Sequence, residues 1–170
     1  MMIVGDLFDL DGARPDSGDS SEPNPFVEQD ALYESQILDV RYDAVRSVLG
    51  IIFEMRLADR IRDCGSALIV ASEISDFSWQ QIQRDGQRTA WTVLASTVRR
   101  VGDSITMELL TSPNARLTFS AKRASYYSLT LDGIADDSAP PDYSSSTLAE
   151  IRAQIAGWNS MAQIVREIHI

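Results

Sequence analysis

The stretch LDVRYDAVRSVLGIIFEMR, residues 38–56, indicates the fold class, because apolar and polar side chains alternate along its first half and again along its second. Leu38 and Val40 alternate with charged residues, and Ile51 and Phe53 repeat the same spacing after a short polar link. A period of two residues is typical of a β-strand with one buried face. The short link between the two halves favours an antiparallel hairpin.

The same period recurs through most of the remaining chain. Runs that fit it cover residues 67–79, 91–97, 105–109, 117–121 and 164–170, with Gly, Pro, Asn or Asp turn signals between many of them. The spacing leaves no room for crossover helices, so we predict an α+β fold with a mostly antiparallel β-sheet, arranged as a meander, sandwich or half-barrel. The side chains expected to be largely buried are Leu38, Val40, Leu49, Ile51, Phe53, Trp91, Val93, Leu117 and Phe119.

One C-terminal helix is predicted near residues 146–157. Thr147 precedes Glu150 by three residues, which is the spacing of a capping box. Ile151 lies on the apolar stripe of this segment, and Gly157 is expected to end it. The sheet is therefore expected to carry one helix packed against it.

The charge of the chain is concentrated near its N-terminus. Residues 1–30 contain eight acids and one base, a net charge of −7 out of −10 for all 170 residues. This composition predicts an acidic N-terminal arm or linker over residues 1–31 and a β-rich domain over residues 32–170. An acidic surface repels phosphate groups, so we expect no nucleic acid and no membrane as partner, and favour a protein with a basic surface.

The sequence contains few groups that perform chemistry. No apolar run reaches the ~18 residues of a membrane helix, no secretory signal is recognisable, and Cys64 is the one cysteine, so a cytoplasmic location is expected. His169 is the one histidine and is expected to be solvated near the C-terminus. We therefore predict no catalytic residue, no metal site and no cofactor.

One short motif suggests an alternative. Phe8-Asp9-Leu10-Asp11-Gly12 resembles the first motif of the haloacid dehalogenase-like phosphatases. The resemblance implies a magnesium-dependent phosphatase in which Asp9 is the nucleophile and Asp11 the acid and base. Ala13 stands where that family usually has threonine or valine, and the chain lacks the alternating βα pattern of that fold.

The same N-terminal residues permit two other interpretations. An acidic and apolar segment can dock on a basic groove of another protein, or it can fold back on its own sheet as an edge strand. In the first case, further contact candidates lie in residues 136–143, which contain Pro140 and Pro141 and which we call the proline-containing loop. The candidate partner-binding residues are Leu7, Phe8, Asp9, Leu10, Asp11, Asp142 and Tyr143.

The chain also resembles a wider group of proteins. Residues 38–43 leading into 50–56, and later Pro140-Pro141-Asp142-Tyr143, look like a group of uncharacterised small acidic bacterial proteins. In size, acidity and β-rich build it is similar to immunity-type inhibitors, which cover the active site of a toxin. These resemblances imply a non-enzymatic protein-binding module, either such an inhibitor or an accessory subunit of a bacterial complex. A structural subunit that forms homo-oligomers through its sheet edges is the other alternative.

Overall fold

A computed structural model describes residues 1–10, 21–82, 86 and 88–170. Within this part of the chain there are eight strands and two short helices. In chain order they are β1 (Met2–Ile3), α1 (Val4–Asp9), β2 (Gln36–Asp43), β3 (Val48–Glu54), β4 (Ser66–Gln81), β5 (Trp91–Val101), β6 (Ser104–Ser112), β7 (Ala115–Leu131), α2 (Leu148–Arg152) and β8 (Met161–His169).

Six of the strands close into a ring. β2, β3 and β4 form one antiparallel meander, β5, β6 and β7 form another, and β4 pairs with β7 along most of its length. The ring closes where β2 meets β5, through only two residue pairs, Gln36 with Thr92 and Ile37 with Trp91. β8 pairs with the second half of β7, beyond the part that pairs with β6, and β1 pairs with β8. The prediction of a mostly antiparallel sheet is confirmed, and no described pairing is parallel.

The strands bury side chains on both faces, which produces two cores. The inner core fills the ring and contains Phe53, Ile69 and Phe119, all fully buried. The outer core lies between α1 and the outer faces of β3, β4, β7 and β8, and it contains Ile52 and Leu68. Because neighbouring residues of a strand point to opposite faces, all seven residues of β3 are buried.

The N-terminal residues are part of this outer layer. Ile3 of β1 pairs with Met161 of β8, and α1 buries Val4, Leu7 and Phe8 against the sheet. This matches the fold-back alternative for residues 1–10. Residues further along the expected arm also pack on the ring, because Phe26 and Ala31 belong to the inner core. The part of the expected linker that spans residues 11–20 lies outside the described residues.

Six of the nine expected core residues are fully buried, and three are only half-buried. The three partly buried residues are Leu38, Val40 and Trp91, each of which packs against one of the two cores. A bulge between Ile37 and Asp39 shifts the β2 register, so Ile37 takes the inner position, while Leu38 contacts the outer core and Val40 the inner core. Trp91 lies at the joint where the ring closes and is open on one side.

The predicted C-terminal helix is much shorter than expected. It covers Leu148–Arg152 instead of residues 146–157, although the capping box of Thr147 and Glu150 is present with both of its hydrogen bonds. After Arg152 the chain tightens into a turn, in which the Gln154 N–H donates to the Ile151 carbonyl at 2.9 Å, and the Gln154 carbonyl accepts a hydrogen bond from the Arg56 guanidinium at 2.6 Å. Across the described ranges, no helix has both the length and the apolar character needed to cross a membrane.

Candidate functional site

An open groove of about 640 Å³ lies where β2 and β5 separate. Residues 37–39 of β2 and residues 88–91 before and at the start of β5 form one side, and residues 148–160 form the other. We call this feature the β2–β5 groove. The groove forms because β2 and β5 pair through only two residue pairs and then separate. The segment that contains α2 lies across the gap between these two strands.

Aromatic and aliphatic side chains form much of the groove surface. Trp91 and Trp158 are half-buried, and Leu148 is 47% exposed. Ile155 and Tyr143 complete the apolar part of the lining. Exposed apolar side chains that gather in a concave surface are typical of a binding site, whereas single exposed ones are ordinary.

Hydrogen bonds hold the central tryptophan of the groove in place. Trp158 donates from its indole Nε1 to the Asp39 carboxylate at 2.8 Å, and the other Asp39 oxygen accepts from the backbone N–H of Val40 at 2.8 Å. The Arg41 guanidinium lies 4.2 Å from the Trp158 ring centroid, a cation–π contact. Trp158 also meets Phe8 edge to face, with ring centroids 5.4 Å apart, and so connects the groove with α1.

One end of the groove is supported by a buried ion pair. Arg56 Nη2 lies 2.6 Å from a Glu54 carboxylate oxygen, and both side chains are almost completely buried. The hydrogen bond to Glu54 raises the pKa of Arg56, so the guanidinium remains charged. Arg56 also donates to Ser138 at 2.7 Å and to the carbonyl of Gln154. The pair therefore ties the proline-containing loop and the segment after α2 to the end of β3.

Of the two predicted contact residues of the proline-containing loop, Tyr143 lines this groove and its neighbour Asp142 does not. The Tyr143 hydroxyl is buried and forms no hydrogen bond within the described residues. Burial, followed by the charge of Glu54, raises the pKa of Tyr143. Asp142 is exposed, and hydrogen bonds from Ser144 and Ser145 lower its pKa to about 2, so its carboxylate caps a turn.

The predicted contact residues of the N-terminal segment are distributed differently. Leu7 and Phe8 are buried in the outer core, so neither presents its side chain to a partner in this structure. Asp9 is exposed and forms a 2.8 Å ion pair with Arg46, and Leu10 is 40% exposed. Asp11 lies outside the described residues.

Several N-terminal carboxylates contact the domain itself. Glu28 pairs with Arg60 at 3.0 Å, and Asp30 accepts a hydrogen bond from the backbone N–H of Ser96. Glu22 accepts from the backbone N–H of Arg62 at 2.9 Å. The acidic segment thus meets basic and backbone donors of its own chain, which accounts for the order of its described residues.

The structure overturns the expectation that His169 is solvated. Its side chain is only 7% exposed, because β8 pairs with β7 and brings Ser125 directly opposite His169. Ser125 Oγ lies 2.7 Å from His169 Nδ1, and Glu167 lies 3.8 Å from Nε2. The cavity beside this cluster has about 40 Å³. The contact between Ser125 and His169 joins β7 to β8.

Metal binding would depend on Asp9 and Asp11, and thiol chemistry would depend on Cys64. Within the described ranges, no group of three or more His, Cys, Asp or Glu side chains could hold a metal ion. Asp9 contacts a guanidinium, and its presumed partner Asp11 is not among the described residues. Cys64 is buried, and burial together with the charge of Asp63 raises its pKa to about 12.

Cys64 is accordingly expected to be unreactive in the folded protein. A thiol with a pKa near 12 is almost entirely protonated at about pH 8, and the thiolate is the reactive form. We expect a colorimetric disulfide reagent to label no thiol in the native protein and one thiol per chain in denaturant. Stoichiometric labelling of the native protein within minutes would contradict this description of the Cys64 environment.

Comparisons with known proteins add little to this geometry. No family model matches the chain, and no curated protein matches it. Among solved structures, the fold is similar to that of an uncharacterized protein from Neisseria gonorrhoeae known from a crystal structure. The two are 8% identical, with a TM-score of 0.42 over 55% of this chain and 90% of the other.

Proposed function

We propose that this chain is a non-enzymatic protein-binding module of the bacterial cytoplasm, acting as an immunity-type inhibitor or as an accessory subunit of a larger complex. The observation that carries the proposal is the β2–β5 groove, which has Trp91 at the start of β5 on one side and Trp158 and the exposed Leu148 on the other. Aromatic and aliphatic side chains in a concave surface are the common anchors of protein interfaces.

The charge of the molecule supports a partner with a basic surface. The chain carries a net charge of −10, and a field of that sign accelerates encounter with a positively charged protein. The same field disfavours nucleic acid and anionic membranes. In this proposal the long-range charge guides the encounter, and the groove supplies the short-range contacts.

A charged substitution inside the groove tests the proposal. Leu148→Glu is expected to weaken binding of the native partner by at least ~10-fold, because it places a carboxylate in an apolar contact. The partner is first captured from host extract by cross-linking and identified by mass spectrometry. Dissociation constants are then measured with the two purified proteins.

The matched control is Val101→Glu, which adds the same charge at a site that is 70% exposed and outside the groove lining. Both variants should keep the melting temperature of the parent protein. Equal affinity of the parent, Leu148→Glu and Val101→Glu for a verified partner would rule out the groove as the binding surface.

Homo-oligomerisation is the competing proposal, and the free edge of β8 favours it. One edge of β8 pairs with β7, and the opposite edge pairs with β1 only at Met161 and Ala162. From residue 163 onward no described strand covers this opposite edge, and Val165 of β8 is 48% exposed. A second copy could add its own β8 to this edge. Sedimentation velocity on the purified parent protein at rising concentration separates this proposal from binding of a different protein.

A further inference from the structure

The β2–β5 groove permits a more specific statement about its ligand, which rests on the function proposed above. We infer that the groove binds an extended segment of the partner protein that adds to the free edge of β2. The segment alternates apolar residues with acidic ones, and its carboxylates meet Arg88 and Arg152, while the surface of the partner outside this segment is basic, as proposed above. Three independent properties of the groove lead to this inference, namely its backbone edge, its apolar lining and its unpaired arginines.

The first property is an open strand edge. β2 extends from Gln36 to Asp43, but its pairing with β5 ends after Ile37. In the part of the chain that the structure describes, no strand pairs with this edge from residue 38 onward. The Val40 N–H donates to the carboxylate of its neighbour Asp39 at 2.8 Å, so a side-chain oxygen takes the place of a strand acceptor there. A strand added to this edge would replace that bond with a backbone hydrogen bond.

The second property is the position of the apolar side chains beside that edge. Leu38 and Trp158 lie on one part of the lining, and Leu148 and Ile155 lie on the segment that crosses the gap. In an added strand, alternate side chains point to the same side. One set would therefore enter the apolar lining, while the other would face the polar rim.

The third property is an excess of positive charge at the rim. Arg88 and Arg152 both line the groove, and neither forms an ion pair with any described residue. The nearby Asp39 carboxylate is already engaged by Trp158 and Val40. Carboxylates are not scarce in this chain, which has 25 acidic and 15 basic residues. Two guanidinium groups that have no ion-pair partner among the described residues, beside an apolar surface, therefore favour a ligand that carries carboxylates.

A peptide titration tests the inference directly. The probe is an acetylated peptide amide of sequence Val-Thr-Leu-Glu-Val-Glu-Leu, added to the ¹⁵N-labelled full chain and followed by two-dimensional NMR. We expect the Trp158 indole signal and the Val40 amide signal to shift in a saturable way. A peptide with Lys in place of both Glu residues should bind at least ~10-fold more weakly, and N-methylation of alternate peptide bonds should abolish binding.

Variants of the two arginines provide the second part of the test. Arg88→Gln combined with Arg152→Gln should raise the dissociation constant of the acidic peptide by ~10-fold or more. Arg99→Gln combined with Arg100→Gln is the matched control, because these arginines are also exposed but lie outside the groove, and its affinity should be unchanged.

Four results would overturn the inference. The first two are the absence of a shift at both the Trp158 indole and the Val40 amide, and equal or tighter binding of the lysine peptide. The other two are an unchanged affinity of the Arg88→Gln, Arg152→Gln variant for the acidic peptide, and signal shifts confined to the edge of β8. The proposed function has a separate test. If the peptide fails but Leu148→Glu still weakens the native complex, the ligand chemistry inferred here is wrong and the groove remains the binding surface.

Discussion

Phe53→Ala is expected to lower the free energy of unfolding by ~3–5 kcal/mol, because the lost side chain leaves a cavity inside the ring of strands. Phe53 has no exposed surface and belongs to the inner core. Its neighbours on both paired strands are fixed by backbone hydrogen bonds, so the ring has little freedom to collapse into the cavity. Urea unfolding of the parent and the variant, followed by circular dichroism, measures the difference.

The control for this prediction is Val45→Ala. Val45 lies in the turn between β2 and β3 and is 97% exposed, so its truncation should change stability by less than ~0.5 kcal/mol. An unfolding midpoint of Phe53→Ala equal to that of the control would show that the two faces of β3 have been assigned incorrectly.

Arg56→Met is expected to destabilise the protein by a similar amount, ~3–5 kcal/mol, for an electrostatic reason. The Glu54 side chain is completely buried, and Arg56 forms its ion pair at 2.6 Å. Removal of the guanidinium leaves a buried carboxylate without a counter-charge, which costs far more than the packing lost. The substitution also removes the bonds that hold Ser138 and Gln154, so we expect loosening of the groove.

A double variant distinguishes this mechanism from simple loss of packing. Glu54→Leu combined with Arg56→Met removes both charges and should recover most of the stability lost in Arg56→Met. Arg62→Met is the exposed control, because its ion pair with Asp59 is mostly solvated and should contribute less than ~1 kcal/mol. If the double variant is as unstable as the single one, the buried charge is not the cause.

The hairpin of residues 38–56 shows how much of this fold can be predicted from the sequence. Alternation of apolar and polar residues locates β2 and β3, and the short link between them indicates their antiparallel pairing. The faces of the two strands are less predictable. The bulge at Ile37 and Asp39 reverses the orientation of Leu38, and β3 buries both of its faces because a second layer covers the ring.

The candidate site depends on contacts that have no local signature. Closure of the ring joins β4 with β7 and β2 with β5, and neither pairing follows from periodicity. Burial of His169 requires the pairing of β8 with β7, and the segment after α2 is held by the distant Arg56. The groove is assembled from three separated segments. From the sequence, only the proximity of Tyr143 to the proline-containing loop indicated part of it.

The pairing of β1 with β8 has a consequence for synthesis of the protein in the cell. Ile3 emerges from the ribosome long before its partner Met161, by about 10–30 s at a translation rate of ~5–20 residues per second. During that interval, Leu68 and the rest of the outer face cannot gain their final cover, since α1 is anchored beside β8. The nascent chain therefore presents an apolar sheet surface until β8 has been synthesised.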